Sequence, residues 1–276
     1  MTYKDIRENR EVLAYLKKGN DNLGTMGFTD HSGAHCAMVA ERAAMILEKF
    51  GYSEHDREVA KIAGFMHDMG NAINRHRHAE YGALLAEQIL SRTDLPLEDR
   101  VTVVSAIGNH DESTGGAVDA ISAALIIADK TDVRRNRVRN KDKASFDIHD
   151  RVNYAVTEAS LTVCPEKNLV TLDLQIDENI CSMLEYFEIF LERMLMCRRA
   201  SEMLGAKFKM TANGSKIVSG GRPAGKRRLK TGGIWSFILP LWRGSPVTHT
   251  EICIIDFSAG WKSITPRFCR PARKTA

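Results

Sequence analysis

The sequence predicts a mainly α-helical protein: a helical bundle followed by a small α+β appendage. Three observations carry this prediction. Residues 1 to about 145 place apolar side chains at helical spacing, with almost no strand-like alternation. Over residues 158–177 the pattern changes, and Val170, Leu172, Leu174 and Ile176 alternate with polar residues, the period of a half-buried strand. Asn213-Gly214 then marks a hairpin, because both residues accept the positive φ that a tight turn between twisted strands requires.

The elements follow in order. A first helix spans residues 3–18, with Asn20 and Gly24 in the loop after it. A second starts at Thr29 or Asp30, whose side chains can cap free backbone N–H groups. It buries Met38, Val39, Ala43, Ile46, Leu47 and Phe50 and stops at Gly51. Ser53, with Asp56 three residues on, opens a third helix as a near capping box, and Val59, Ile62, Ala63 and Met66 form its apolar stripe. A fourth runs over residues 77–91 on Tyr81, Leu85 and Ile89. A fifth follows Pro96 and uses Val103, Val104 and Ile107; a sixth, residues 117–137, uses Ile121, Ala124, Leu125 and Ala128. "LTVCPEKNLVTLDLQI" supplies two β runs around a Pro-Glu-Lys-Asn turn. A long amphipathic helix on Met183, Phe187, Phe190 and Met194 then ends at Gly205, before the Asn213-Gly214 hairpin.

Composition divides the chain further. Residues 1–215 hold 27 Lys and Arg against 33 Asp and Glu, whereas residues 216–276 hold 12 against 2, together with all three tryptophans and five of the seven prolines. The expected organisation is a helical domain over 1–150, an α+β region over 151–215, and a basic tail over 216–276 that is poorly ordered or of no assignable fold. The tail's break in composition has two readings, a nucleic-acid-binding arm or an unrelated or frame-altered segment. No apolar run approaches the ~18–20 residues of a membrane span, and the N-terminus is too charged for a secretory signal. The six cysteines form no CxxC pair. The expected setting is therefore cytoplasmic and reducing, with no membrane partner.

Polar residues extend several of the apolar stripes. His35 precedes Met38 and Val39 by three and four residues, and His67-Asp68 closes the third helix. His78 precedes Tyr81 by three, His110 follows Ile107 by three, and Asp129 follows Leu125 by four. One histidine on an apolar face is ordinarily a core residue satisfied by a hydrogen bond. Four imidazoles and two carboxylates aimed inward are costly to bury unless something neutralises them. A divalent cation does so, and imidazole and carboxylate are its usual ligands. Six donors exceed the three or four protein groups of one catalytic ion and suit two ions sharing a carboxylate.

In this order, "HCAMVAERA", "AGFMHDMGN", "HAEYGALLA" and "ALIIADKTD" resemble the helices of the HD superfamily of metal-dependent phosphohydrolases, over roughly residues 25–140. His78 and His110 resemble the extra ligands of its two-metal branches. The resemblance implies that His35, His67, Asp68 and Asp129 hold one ion and that Asp68 bridges to a second held by His78 and His110. It implies hydrolysis of a phosphomonoester or phosphodiester, on a small nucleotide-like substrate, by a hydroxide shared between the ions. Iron or manganese is the expected metal, and magnesium, zinc and cobalt suit the same donors. Asp68 and Lys130 are the expected catalytic residues, with Lys130, Arg134 and His31 on the substrate. A helix continuing to residue 137 would put Lys130, Arg134 and Arg137 on one face. Glu41 or Asp111 would orient an imidazole. Cyclic-dinucleotide phosphodiesterases of the superfamily carry a paired histidine where this chain has Asn109-His110, and a Gly-Tyr-Pro motif that "DESTGGAVDA" lacks, so that activity is not implied. A few relatives of the fold are di-iron oxygenases on a nearly identical ligand set, which spacing does not separate from hydrolases. Nucleic acid enters as a partner only through residues 216–276.

Overall fold

A computed structural model of the chain describes residues 1–219; the expectations for the tail beyond that point lie outside the described residues. The first predicted helix is two, α1 (Tyr3–Glu8) and α2 (Arg10–Thr25). Asn9 separates them: its backbone is extended (φ −69°, ψ 116°), and its side-chain oxygen accepts from the N–H groups of Glu11 and Val12. It thus ends one helix and caps the next. Helix α2 continues through Asn20 and Gly24 instead of stopping at residue 18. Leu16, Gly19 and Leu23 keep its buried stripe going, and tertiary burial outweighs weak local propensity.

Helix α3 (Gly33–Lys49) begins later than Thr29 or Asp30, with Ser32 at its cap. Residues 29–31 instead form an irregular approach to the site. Helix α4 (Glu54–Met66) carries the predicted capping box, with Ser53 and Asp56 each serving the other's backbone N–H. Its Gly64 lies so close to α3 that a Cβ there would meet Ala40 Cα at 2.7 Å, so only glycine allows this approach. A short 3-10 turn, Met69–Ala72, leads to α5 (His78–Leu90). Helix α6 (Leu97–Gly108) and α7 (Ala120–Lys130) complete the bundle.

Helix α7 is much shorter than the predicted 117–137. Asp119 and Ser122 form a capping box at its start, and Thr131 Oγ1 donates back to the Ile127 carbonyl (2.6 Å) at its end. Arg134 is extended and Arg137 lies in a separate 3-10 turn, so Lys130, Arg134 and Arg137 share no helical face.

A short helix, α8 (Ile148–Ala155), was not anticipated. Strands β1 (Val156–Cys164) and β2 (Leu169–Ile176) pair antiparallel, with Asn168 at φ 46° in the predicted turn. The long helix α9 (Met183–Met203) crosses to β3 (Lys207–Ala212), which pairs parallel with β2. Strand β4 (Ser215–Ser219) follows through Asn213 (φ 50°) and Gly214 (φ 77°). The sheet order β1-β2-β3-β4 makes the chain mainly α but not all-α. Val170, Leu172, Leu174, Phe208 and Met210 bury one face of the sheet, and Tyr186, Phe190 and Met194 of α9 join the same continuous core as the bundle. Among the described residues, no helix is long and apolar enough to cross a membrane.

Candidate metal centre

Five helices deliver six donor residues to one point. His35 lies in the first turn of α3, and His67 and Asp68 follow directly on α4. His78 opens α5, His110 comes just after the end of α6, and Asp129 is the penultimate residue of α7. The four histidines and Asp68 are no more than 3% exposed. Helix ends suit this task because a side chain there reaches past its own helix toward the bundle centre.

The imidazoles share one orientation. Nδ1 of His67, His78 and His110 donates to the carbonyls of Gly64 (2.8 Å), Arg75 (3.2 Å) and Ile107 (2.6 Å). Nδ1 of His35 donates to Asp132 (2.7 Å). The hydrogen-bond network therefore assigns Nε2 as the inward atom of all four. Nε2 of His35 lies 3.3 Å from Asp129 Oδ1 and 3.8 Å from Asp68 Oδ2; Nε2 of His67 lies 3.3 Å from Asp68 Oδ2 and 3.7 Å from Asp129 Oδ1. On the other side, His78 Nε2 lies 3.2 Å from His110 Nε2 and 3.9 Å from Asp68 Oδ1. Asp68 thus stands between two groups and offers one oxygen to each.

Both groups, His35-His67-Asp129 and Asp68-His78-His110, can hold a metal ion. Nε2 of His35, Nε2 of His67 and Oδ2 of Asp68 are buried and have no hydrogen-bond partner among the described residues. Each such atom costs about 1–3 kcal/mol, more where charged. In the second group, two lone pairs face each other between His78 and His110, a contact that a shared cation relieves. The donor types, their orientation and these unpartnered atoms all fit divalent ions. Cys36 lies beside His67 and Asp68, but burial and the two carboxylates push its thiol well above the usual range, which makes it a poor ligand.

Charge at the site is polarised. Burial alone would raise Asp68 and Asp129. The imidazoles around Asp68, and Lys130 with the imidazoles around Asp129, overcome it and hold both well below the carboxylate range. Burial works against protonating His67, yet Asp68 and Asp129 outweigh it and raise His67 to about 10. The carboxylate pair therefore draws positive charge to this spot. His78 falls to about 4 through burial and Arg75, and His110 to about 3 through burial and its neighbouring imidazoles.

A cavity of about 300 Å³ opens onto the donors. Asp68, His78, Asp129 and Lys130 line it, together with Phe28, His31, Arg75, Arg137, Asp150, Phe190 and Arg193. Lys130 is buried, with Nζ 2.9 Å from Asp129 and 2.7 Å from Glu112. His31 donates through Nδ1 to Thr29 O (2.7 Å) and packs on the His35 ring, outside both donor groups. Arg134 does not line the cavity; it forks onto Asp132 at 2.5 and 3.0 Å.

Several site residues escaped the sequence reading. Asp132, not Glu41 or Asp111, orients an imidazole. Glu41 instead pairs with Lys61, and Asp111 accepts from Ser113. Asp132 lies past the end of α7, where the chain has left the helix and spacing from Asp129 gives no direction. Arg193 of α9 holds Glu112 (2.9 Å) and so ties the appendage to Lys130. Arg75 and Asn71 lie in the turn between α4 and α5, where no periodicity marks them.

A family model described as the HD domain matches residues 33–149. The chain is also 29% identical, over 173 residues, to an uncharacterised protein of Methanocaldococcus jannaschii. That match covers 54% of this chain and 66% of the archaeal protein, just short of two thirds of its length.

Proposed function

We propose that this chain, whose residues 33–149 match the HD domain family model, is a two-metal phosphohydrolase acting on a small phosphate ester. The carrying observation is the set of buried, unpartnered atoms on His35, His67 and Asp68, with Asp68 facing both donor groups. His35, His67, Asp68 and Asp129 would hold one divalent ion; Asp68, His78 and His110 would hold the other. Divalent ions in such a pair supply an activated water and neutralise charge that builds on phosphate oxygens.

The chain's own residues set the rest. Asp132 holds His35, and the backbone carbonyls hold the other three imidazoles, so every inward nitrogen is fixed before substrate arrives. Lys130 is clamped between Asp129 and Glu112, so it orients Asp129 and adds positive potential to the cavity. Arg75 and Arg193 add to that potential, which would draw a phosphate in. Phe28 and Phe190 offer apolar surface to an organic ring, and Asp150 and Asn153 offer polar contacts to hydroxyl groups. These features support a nucleotide-like leaving group.

The test is elemental analysis of the purified chain, then phosphate release from a panel of nucleotides and simple esters in the metal found. The expected result is metal-dependent release that Asp68→Asn abolishes. A metal-loaded protein inert across the whole panel would contradict this function.

A further inference from the structure

The two donor groups differ in a way their ligand types do not explain. All three unpartnered buried ligand atoms, His35 Nε2, His67 Nε2 and Asp68 Oδ2, face the first group. The second group is already engaged: Asp68 Oδ1 accepts from Asn71 Nδ2 (2.8 Å), and Arg75 Nη1 lies 3.4 Å from His78 Nε2. Because His78 Nδ1 donates to the Arg75 carbonyl, its Nε2 offers one lone pair. That lone pair also faces His110 Nε2 at 3.2 Å, which has no N–H to offer it because His110 donates through Nδ1 to Ile107. It therefore serves a guanidinium N–H or a metal ion, one at a time.

Arg75 is also the loosely held cation of the cavity. Lys130 and Arg193 are tied to Glu112, and Arg137 to Asp132. Among the described residues no carboxylate pairs with Arg75. It is half-buried, with Asn71 Oδ1 at 3.4 Å and the Phe28 ring below it (5.5 Å to the centroid). A guanidinium so placed, on a cavity wall and fixed in its charge, is suited to fork onto a phosphate.

We propose that Arg75 competes with the second ion for His78, so that this ion loads tightly only when an anion in the cavity draws the guanidinium away. Arg75 is then a positioning residue that couples completion of the metal pair to the arrival of a phosphate-bearing ligand. This rests on the two-ion reading above. Loading the second ion against Arg75 also brings like charges together at close range, which weakens it further.

The test is a Mn²⁺ titration of the full chain by equilibrium dialysis, with and without inorganic phosphate, for the wild type, Arg75→Gln and Arg75→Lys. The wild type should bind one ion tightly and a second about tenfold or more weakly, and phosphate should tighten the second step. Without phosphate, Arg75→Gln should tighten the second step about tenfold and leave the first unchanged. Arg75→Lys, which keeps the charge, should stay close to the wild type. Two equally tight steps in the wild type without phosphate, or a second step that Arg75→Gln leaves unchanged or weakens, would overturn this proposal alone. Uptake of fewer than two ions under every condition would overturn the two-ion reading and this proposal with it.

Discussion

Asp132 shows how much one residue outside the donor set decides. It is fully buried, accepts from His35 Nδ1, and is itself held by Arg134 and Arg137. Burial alone would raise its carboxyl, but the His35 and arginine contacts hold it well below the carboxylate range. Asp132→Asn keeps the size and removes the charge. It should weaken metal binding about 10–100-fold, measured by dialysis, with the far-ultraviolet circular dichroism unchanged. Equal metal affinity in the variant would show that His35 needs no such partner. At this scale the six residues that cluster were legible in the sequence because each sits one helical step beyond an apolar stripe, as His110 does after Ile107. Asp132 and Arg75 were not, because each lies past a helix end, where spacing carries no direction.

At the scale of elements, caps and close approaches decide where helices stop and how near they come. Asn9 ends α1 and caps α2, so Asn9→Ala should cost about 1 kcal/mol, read as a shift in the urea midpoint. Gly64 sets the distance between α3 and α4, the helices that carry His35 and His67-Asp68. Gly64→Ala should destabilise by about 1–3 kcal/mol and weaken metal uptake as well, because it spreads two halves of one donor group. Loss of stability without loss of metal affinity would show that the site tolerates that spread. Helix cores and the β2 alternation were legible from periodicity, and Ser53 and Gly51 from cap chemistry. The ends of α2 and α7 were not. Burial of Leu23 prolongs α2 beyond its polar residues, and α7 stops at Lys130 so that the chain can turn Asp132 back onto His35. Helix α8 is too short for its period to stand out.

For the molecule as a whole, buried charge links stability to metal and to pH. An ion bound only by the folded state stabilises it by about 2.7 kcal/mol at a hundred times its dissociation constant. Stripping the metal with a chelator should therefore lower the thermal midpoint by roughly 5–10 °C, and adding Mn²⁺ should restore it. Glu112 lies outside the donor set. Burial opposes its charge, but Lys130 and Arg193 hold its carboxyl well below the usual range. Its folded form thus binds its proton less readily than the unfolded chain does. The stability it contributes is complete above the unfolded value of about 4.3 and is lost as pH falls below it. In metal-free protein, Glu112→Gln should flatten the loss of stability between about pH 5 and pH 3; an unchanged slope would place the acid sensitivity elsewhere. The central claim is that six residues from five helices hold two ions that share Asp68. The most direct test is an anomalous-difference map from crystals grown with Mn²⁺ and inorganic phosphate. Two peaks are expected, one against His35, His67 and Asp129, the other against His78 and His110, with Asp68 touching both. A single peak, or peaks that leave Asp68 unligated, would contradict it.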